Sequence, residues 1–233
     1  MNRSCILHID TTGNRGLVML SQQGQPVACL ENNHPMEHGS FLHPAIAQLM
    51  QEQQVTAQNL LAIAIANGPG SYTGLRVGLA AAKGLCYAWN IPLITLSSLK
   101  LLALAANQKE QELGNKASGL IVSMIDARRM EVFYAIYDAS TMKTILEPQT
   151  AILNSSFLEK ELKDNRIIFV GNGVSKWASI CPVANTCFMD QLITDFTFAQ
   201  EADQLFSKNK FADLAYTLPA YTKEFYQQIS IKK

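Results

Sequence analysis

The sequence lacks an excess of charge of either sign, because its 19 lysine and arginine residues balance 19 aspartate and glutamate residues over 233 positions. A chain without net positive charge has no long-range field that attracts phosphate backbones from solution. No predicted helix carries a stripe of lysine or arginine either. These absences argue against a direct nucleic-acid-binding module, so we expect any contact with RNA to depend on another molecule.

Cysteines are few, odd in number and scattered, and most of the five lie in apolar runs. Cys181 and Cys187 have neither a short metal-ligand spacing nor neighbouring histidines, which argues against a zinc site. We therefore predict reduced cysteines without disulfides and no metal centre. Reduced thiols are typical of the cytosol, so a cytoplasmic location is expected.

Long hydrophobic runs are also missing. The nearest approach to the roughly 20 residues of a membrane-spanning helix is Val77 to Ala88, and Lys83 interrupts it. The first apolar stretch stops at Asp10 after a few residues, which is too short for the core of a signal sequence. Neither membrane insertion nor export is expected.

Motifs for nucleophilic or metal catalysis are absent from the sequence. There is no Gly-x-Ser-x-Gly turn, no cysteine–histidine constellation and no evident pair of buried carboxylates. His38 and His43 are five residues apart, so they do not form the i, i+4 pair that binds a metal from one helix. The glycine-rich stretch 68–74 lacks the Gly-Lys-Ser/Thr ending of a P-loop, which favours a tight turn over a phosphate site.

The first half of the chain has the pattern of a three-strand meander followed by alternating helices and strands. An apolar run from Cys5 to Ile9 closes on Asp10, and two further strand patterns follow across short turns. The later predicted elements are helix 40–53, strand 61–66, helix 75–89, strand 92–96 and a helix that either Ser97 or Ser98 caps and that runs to about Asn107.

The second half begins in the same way as the first. A strand pattern at 119–125 ends in Asp126, and a tight turn leads to a strand at 131–137. This is a weak internal repeat of about 115 residues. Meanders followed by helical crossovers predict an α/β fold of two RNase H-like lobes with a cleft between them. We predict an N-terminal lobe 1–107, a smaller second lobe 108–211 and a C-terminal tail 212–233 that packs back on the lobes.

Asp10 is the first candidate functional residue, because it lies at the carboxyl end of the first strand, where open α/β sheets place ligand groups. Thr11 and Thr12 add hydroxyl and amide groups that can contact a phosphate. A turn whose aspartate caps local backbone donors is the alternative, and both interpretations stay open. With the glycine-containing turn after strand 167–170, the predicted cofactor-binding residues are Asp10, Thr11, Thr12, Gly171, Asn172 and Gly173.

The helix pattern at 75–89 is apolar on almost every side, with only Arg76 and Lys83 as interruptions. Gly74, Gly78 and Ala82 recur at intervals of four and form a small-residue stripe that permits close helix approach. A helix of this kind near a lobe surface needs a second protein to cover its exposed flank. The alternative is a central helix that the second lobe of this chain covers.

Several motifs occur in the same order across nearly the whole chain as in the bacterial TsaB (YeaZ) family, which the sequence resembles. The most specific is Gly68-Pro-Gly-Ser-Tyr-Thr-Gly74. The resemblance implies the fold of the actin-like ATPase superfamily and a role as partner of the catalytic TsaD subunit, with the TsaE ATPase as a third protein. The supporting motifs are Ile9-Asp10-Thr11-Thr12, Ile125-Asp-Ala-Arg128 with Glu131-Val-Phe-Tyr134, Gly171-Asn-Gly173 and Pro219-Ala-Tyr221.

The resemblance also implies the reaction and this chain's part in it. The complex transfers a threonylcarbamoyl group from its adenylate to the adenosine next to the tRNA anticodon. Where the catalytic relative supplies two metal-binding histidines, this chain has Ser97-Ser98-Leu99-Lys100-Leu101, so we expect a non-catalytic subunit. It would require no cofactor, with ATP or ADP at the complex interface left open, form a homodimer when alone and meet tRNA only through the complex.

By the same resemblance, helices 40–53 and 73–89 form the surface for self-association and for TsaD. The rival hypothesis is an active actin-like-fold ATPase, kinase or metalloprotease that uses Asp10 and residues 171–173 around ATP. The expected interface residues are Phe41, Leu42, Ala45, Leu49, Gly74, Val77, Gly78, Ala81, Ala82 and Leu85.

Overall fold

The computed structural model describes residues 4–34, 37–115, 118–182, 186–190 and 193–222, which form two five-stranded sheets. The sheets have the same topology, with strand orders β3-β2-β1-β4-β5 and β8-β7-β6-β9-β10. The strands are β1 (Cys5–Asp10), β2 (Gly16–Gln22), β3 (Gln25–Asn32), β4 (Leu60–Ala66), β5 (Leu93–Leu96), β6 (Leu120–Asp126), β7 (Glu131–Asp138), β8 (Thr144–Ile152), β9 (Ile167–Val170) and β10 (Thr186–Met189).

Each sheet is an antiparallel meander extended by two parallel strands. In the first sheet β1 pairs antiparallel with β2 and parallel with β4, and in the second β6 pairs antiparallel with β7 and parallel with β9. Asp10 and Asp126 therefore end equivalent strands. The predicted α/β fold of two RNase H-like lobes is confirmed, and the weak repeat in the sequence corresponds to a duplicated topology.

Helices cover both faces of the first sheet. α1 and α2 pack on one face with Ile9, Ile63 and Ile65, whereas α6 packs on the other face with Leu17 and Met19. Successive side chains of a strand point to opposite faces of the sheet. Because helices cover both faces, these strands are apolar on both sides. The helices are α1 (His38–Glu52), α2 (Tyr72–Trp89), α3 (Ser98–Glu112), α4 (Glu159–Asp164), α5 (Val174–Ala178) and α6 (Asp195–Ser207).

α3 connects the two sheets, because its side chains enter a core cluster on each side. Leu101 packs with the first sheet, while Leu99 and Leu102 pack with Ile121 and Val170 of the second. The helix runs five residues beyond the predicted end at Asn107, to Glu112. The extension is held in place where the buried Glu110 carboxylate accepts a 2.7 Å hydrogen bond from Arg166.

The division into 1–107, 108–211 and 212–233 stays a prediction, and the contacts of α6 and the tail bear on it. α6 follows the second sheet in the chain but packs on the first. The sequence analysis had not predicted α6, although Thr194 caps it by accepting a hydrogen bond from the Thr197 amide at 3.1 Å. From Ala212, which bridges to Leu93, the tail runs back along the first lobe as far as residue 222. Residues 223–233 of the predicted tail lie outside the described residues.

Candidate functional site

The turn after β1 is built around the buried carboxyl group of Asp10. Its Oδ1 accepts hydrogen bonds from the Thr12 amide at 2.8 Å and from the Thr12 hydroxyl at 2.7 Å, and the residue is 6% exposed. Burial raises the pKa of Asp10 above its usual value, and the two bonds from Thr12 oppose that shift without cancelling it. The predicted capping role of this aspartate is therefore present in the structure.

The next two residues of this turn pack against the glycine-rich stretch that begins α2. The Thr11 hydroxyl donates to the Gly74 carbonyl oxygen at 2.7 Å, and the Ser71 amide donates to the Thr12 carbonyl oxygen at 2.7 Å. A Cβ atom added at Gly74 would overlap the Thr11 carbonyl oxygen, and one added at Gly78 would overlap its hydroxyl. The turn therefore fills the space at the helix start that an anion would need.

This packing corrects the prediction that the stripe of Gly74, Gly78 and Ala82 faces a partner. The stripe faces the β1 turn and the first sheet of its own chain. Neither a partner nor the second lobe covers it. The sequence pattern identified a face that permits close approach but could not identify what approaches.

Most of the ten predicted interface residues are likewise buried inside the first lobe. Phe41, Val77 and Leu85 are partly buried against the same core. The buried side chains cannot supply contact area to a partner in this conformation, so they lie on the side of both helices opposite to the one that a partner could contact. The seven buried residues are Leu42, Ala45, Leu49, Gly74, Gly78, Ala81 and Ala82.

The second half supplies the Gly171-Asn172-Gly173 turn after β9. The Asn172 Oδ1 accepts a hydrogen bond from the Asp126 amide at 2.9 Å, and the Gly173 amide donates to the Met124 carbonyl oxygen at 3.1 Å. Gly171 has φ +109°, and a Cβ atom there would overlap the Met124 carbonyl oxygen. The two glycines thus allow this turn to lie against β6 and expose Asn172.

A cavity of about 280 Å³ lies between the two halves and brings some of the predicted cofactor-binding residues together. Asp10, Thr12 and Asn172 line it. The other three predicted residues, Thr11, Gly171 and Gly173, do not line it, because they form the packing contacts behind the two turns. The remaining lining residues are Gly13, Asn14, Arg15, Asn33, Ser98, Leu102, Ile125 and Ile193.

Ser98 is a lining residue in a stretch whose position after a strand already distinguished it in the sequence. It was identified as a helix-cap candidate and as part of the stretch without histidines. In the structure Ser97 is the cap of α3, since its Oγ accepts a 3.4 Å hydrogen bond from the Lys100 amide, and Ser98 is fully buried beside the cavity. Their position directly after β5 made both serines candidates in the sequence. Only the three-dimensional fold shows that Ser98, and not Ser97, borders the cavity.

Arg15 is the cation that lines the cavity, and it is already paired with two carboxylates. It donates to Glu31 at 2.8 Å and to Asp195 at 2.9 Å. Glu31 and Asp195, together with Cys29, are also the one group among the described residues whose donor atoms lie close enough to hold a metal ion. Arg15 competes for both carboxylates of that group, so we assign no metal to it.

Comparison with known proteins gives a consistent result. The family model described as TsaD, tRNA N6-adenosine threonylcarbamoyltransferase, matches residues 35–229. The Bacillus subtilis tRNA threonylcarbamoyladenosine biosynthesis protein TsaB is 31% identical over 73% of this chain and 72% of its own length. TsaB of Escherichia coli is 25% identical over 94% of both chains.

A solved structure from Pseudomonas aeruginosa, described as an uncharacterized protein with similarity to peptidase YeaZ, has the same fold. It superposes with a TM-score of 0.76 and 24% identity, covering 94% of this chain and all of the other. Within the described part of the chain, no helix has the length and apolar character needed to cross a bilayer.

Proposed function

The chain belongs to the TsaB (YeaZ) family, and on this premise we propose that it is a non-catalytic subunit that binds and activates a TsaD-type transferase. The names of its relatives support a role in the biosynthesis of threonylcarbamoyladenosine in tRNA. The observation that carries the partner role is the outward surface of α1 and α2. We call this surface the outer helix face.

Short, uncharged side chains form part of the outer helix face, beside the longer exposed side chains of His43, Gln48 and Gln51 on α1. On α2, Ala80, Gly84 and Ala88 recur at intervals of four and are exposed, and on α1 Pro44 and Ala47 are exposed in the same way. A Cβ atom at Gly84 would meet no atom within 4 Å. Because the distance between packed helices depends on the side chains at their contact, short side chains let a partner helix approach closely. The inner faces of both helices are already buried.

Aromatic and arginine side chains border this face at the start of α2. The Arg76 guanidinium lies 4.0 Å from the centre of the Tyr72 ring and donates to the Tyr221 hydroxyl at 2.9 Å. Tyr87, at the other end of the helix, is 83% exposed. Tyrosine and arginine are enriched among the residues that contribute most to protein–protein binding. A small-residue centre with aromatic ends supports docking of another protein.

The proposal is tested by co-purification with the TsaD subunit of the same organism. We expect Gly84→Arg to abolish the complex while the melting temperature of the isolated chain stays the same or rises, because the added side chain projects into solvent and arginine favours a helix more than glycine does. Gln204→Arg, on the exposed surface of α6, is the matched control and should retain the complex. A Gly84→Arg chain that still co-purifies in full yield would rule out this surface.

The non-catalytic part of the proposal is supported by the residues after β5. Ser97 caps α3 and Ser98 borders the cavity, so neither position offers an imidazole to a metal. We expect reconstituted tRNA modification to require both this chain and TsaD. ATP turnover by this chain alone, lost in Asp10→Asn, would instead favour the rival hypothesis of an active actin-like ATPase. The TsaE partner, the homodimer and the cytoplasmic location stay predictions.

A further inference from the structure

A separate cleft of about 490 Å³ lies on the second half of the chain, beside α4. Tyr134, Phe157 and Leu158 line it together with the charged side chains of α4. Phe157 is buried and Leu158 is half-buried, whereas every charged residue of α4 except Glu161 is exposed. The cleft therefore combines an apolar base with an open, charged rim.

Tyr134 presents an unpaired hydroxyl group to this cleft. The residue is 8% exposed, and its hydroxyl makes no hydrogen bond to any residue that the structure describes. Unlike the enclosed hydroxyls of Ser98 and Ser123, it reaches the surface of the cleft that it lines. Phe157 holds the ring edge to face, with centroids 5.1 Å apart. Because a mostly buried polar group that lacks a partner is rare, this hydroxyl indicates a ligand.

Glu161 is the second polar group without a partner at the cleft. It is half-buried, and its carboxylate makes no ion pair within the described part of the chain. Its charge acts on Tyr134, since burial raises the pKa of that phenol and Glu161 raises it further. The carboxylate and the phenol therefore face the same space, and the phenol keeps its proton.

The remaining charges at the rim leave the cleft negative. Glu159 is already paired with Lys163 at 2.8 Å, which cancels one charge of each sign. Glu161 and Asp164 then outnumber Lys160 among the lining residues. An anionic ligand would meet repulsion here, whereas a cation would be attracted.

The spacing of these groups favours an extended cation over a metal ion. Among the described residues, only Cys29, Glu31 and Asp195 bring their donor atoms close enough together to hold a metal, and they lie elsewhere. A guanidinium group carries five N–H donors in one plane and can bridge a carboxylate and a phenol oxygen. It is also less strongly hydrated than an ammonium group, which suits the apolar base of the cleft.

The open rim indicates how the guanidinium arrives. Sites for free small molecules enclose most of the ligand, whereas this cleft can enclose only one end of it. We propose that the cleft binds an arginine side chain of a peptide segment, with the guanidinium group on Glu161 and Tyr134. The stem of the arginine lies on Phe157 and Leu158. Because the outer helix face belongs to the first half, this proposal does not depend on the partner role.

The test is an NMR titration of the full chain with two blocked pentapeptides, Gly-Gly-Arg-Gly-Gly and Gly-Gly-Lys-Gly-Gly, and with free arginine. We expect the arginine peptide to bind with a dissociation constant of about 1 mM and to shift the amide signals of residues 156–164. The lysine peptide should bind at least about threefold more weakly. No binding, or equal binding of both peptides, would overturn the proposal. Free arginine that binds as tightly as the peptide would assign the cleft to the amino acid and contradict a peptide ligand.

Two variants separate recognition from folding. Glu161→Gln should weaken binding of the arginine peptide about tenfold, and Tyr134→Phe about threefold. Neither side chain has a polar partner within the described residues, so the melting temperature should stay the same or rise. Glu147→Gln is the matched control, because this exposed glutamate of β8 does not line the cleft. Unchanged affinity in either cleft variant, or an equal loss in Glu147→Gln, would contradict the assigned contacts.

Discussion

Asp10 and Asp126 end equivalent strands in the two halves, yet only one of them is buried. Each accepts a hydrogen bond from the amide two residues later, at 2.8 Å from Thr12 and at 2.5 Å from Arg128. Asp10 is enclosed between the halves, whereas the Asp126 side chain is 38% exposed and pairs with Lys176 at 2.5 Å. The duplicated topology thus repeats the local turn, and the surroundings decide whether the carboxylate is solvated.

The two halves also differ in the helix that follows the fourth strand of each sheet. α2 has 18 residues and packs its glycine face on the β1 turn, whereas α5 has five residues. In both halves a glycine allows the segment after the fourth strand to lie close to other backbone. Gly74 lies against the turn after β1, and Gly171 lies against β6. Only the first half extends the contact into a long helix with an exposed outer surface.

The largest expected effect comes from breaking the close approach at α2. Gly74→Ala would place Cβ on the Thr11 carbonyl oxygen, and backbone atoms cannot move aside as a flexible side chain can. We expect a loss of about 3 kcal/mol or more in the free energy of unfolding. Urea denaturation measures this change.

Gly84→Ala in the same helix is the control for Gly74→Ala. Gly84 is exposed with open space around it, so alanine should stabilise the helix by about 1 kcal/mol through its higher helix propensity. A gain in stability of similar size at both positions would show that packing on Thr11 does not explain the glycine at 74.

An intermediate and pH-dependent effect is expected for Asp10→Asn. Burial raises the pKa of Asp10 in the folded state, so the folded chain holds this proton more tightly than the unfolded chain. The resulting stability is present below the unfolded pKa and is lost as pH rises through the folded pKa. Asparagine cannot ionise, and its Oδ1 can still accept both bonds from Thr12.

Asp10→Asn should therefore gain stability relative to the natural chain as pH rises from about 4 to about 7. Melting temperatures of both proteins, compared at each pH, measure the difference. His8 also contributes to the pH dependence, because burial lowers its pKa to about 3. Its contribution to the stability of the folded chain therefore rises with pH, opposite to that of Asp10. His8 is present in both chains, so its contribution cancels in the comparison. A difference that does not change with pH would contradict the buried-carboxylate interpretation.

The smallest effect is expected for Asp126→Asn. The Lys176–Asp126 pair is partly exposed, and pairs of this kind contribute about 1 kcal/mol or less. The loss should diminish further in high salt, because salt screens exposed charges. Melting temperatures at low and high salt measure it, and a loss larger than that of Gly74→Ala would reverse the ranking of the two halves.

The duplicated architecture could be predicted because periodicity and turn residues are local. The apolar run before Asp10 and its counterpart before Asp126 marked the two meanders, and the sheets confirm them. α6 was missed because its partner is the first sheet, which lies far from it in the chain. Of the candidate site, Asp10, Thr12 and Asn172 were identified from strand ends, but Ser98 and the wall at Leu102 were not assigned to it.

The sequence by itself determined the strand–turn–strand pattern at the head of each half, the glycine-rich turn and the family resemblance, because these depend on neighbouring residues. Only the tertiary structure decided which side of α2 is buried. An almost wholly apolar helix has no polar face to mark its orientation, and the deciding contact, Thr11 with Gly74, joins residues 63 positions apart. The cavity likewise exists only where Asp10, Ser98 and Asn172 converge from separate elements.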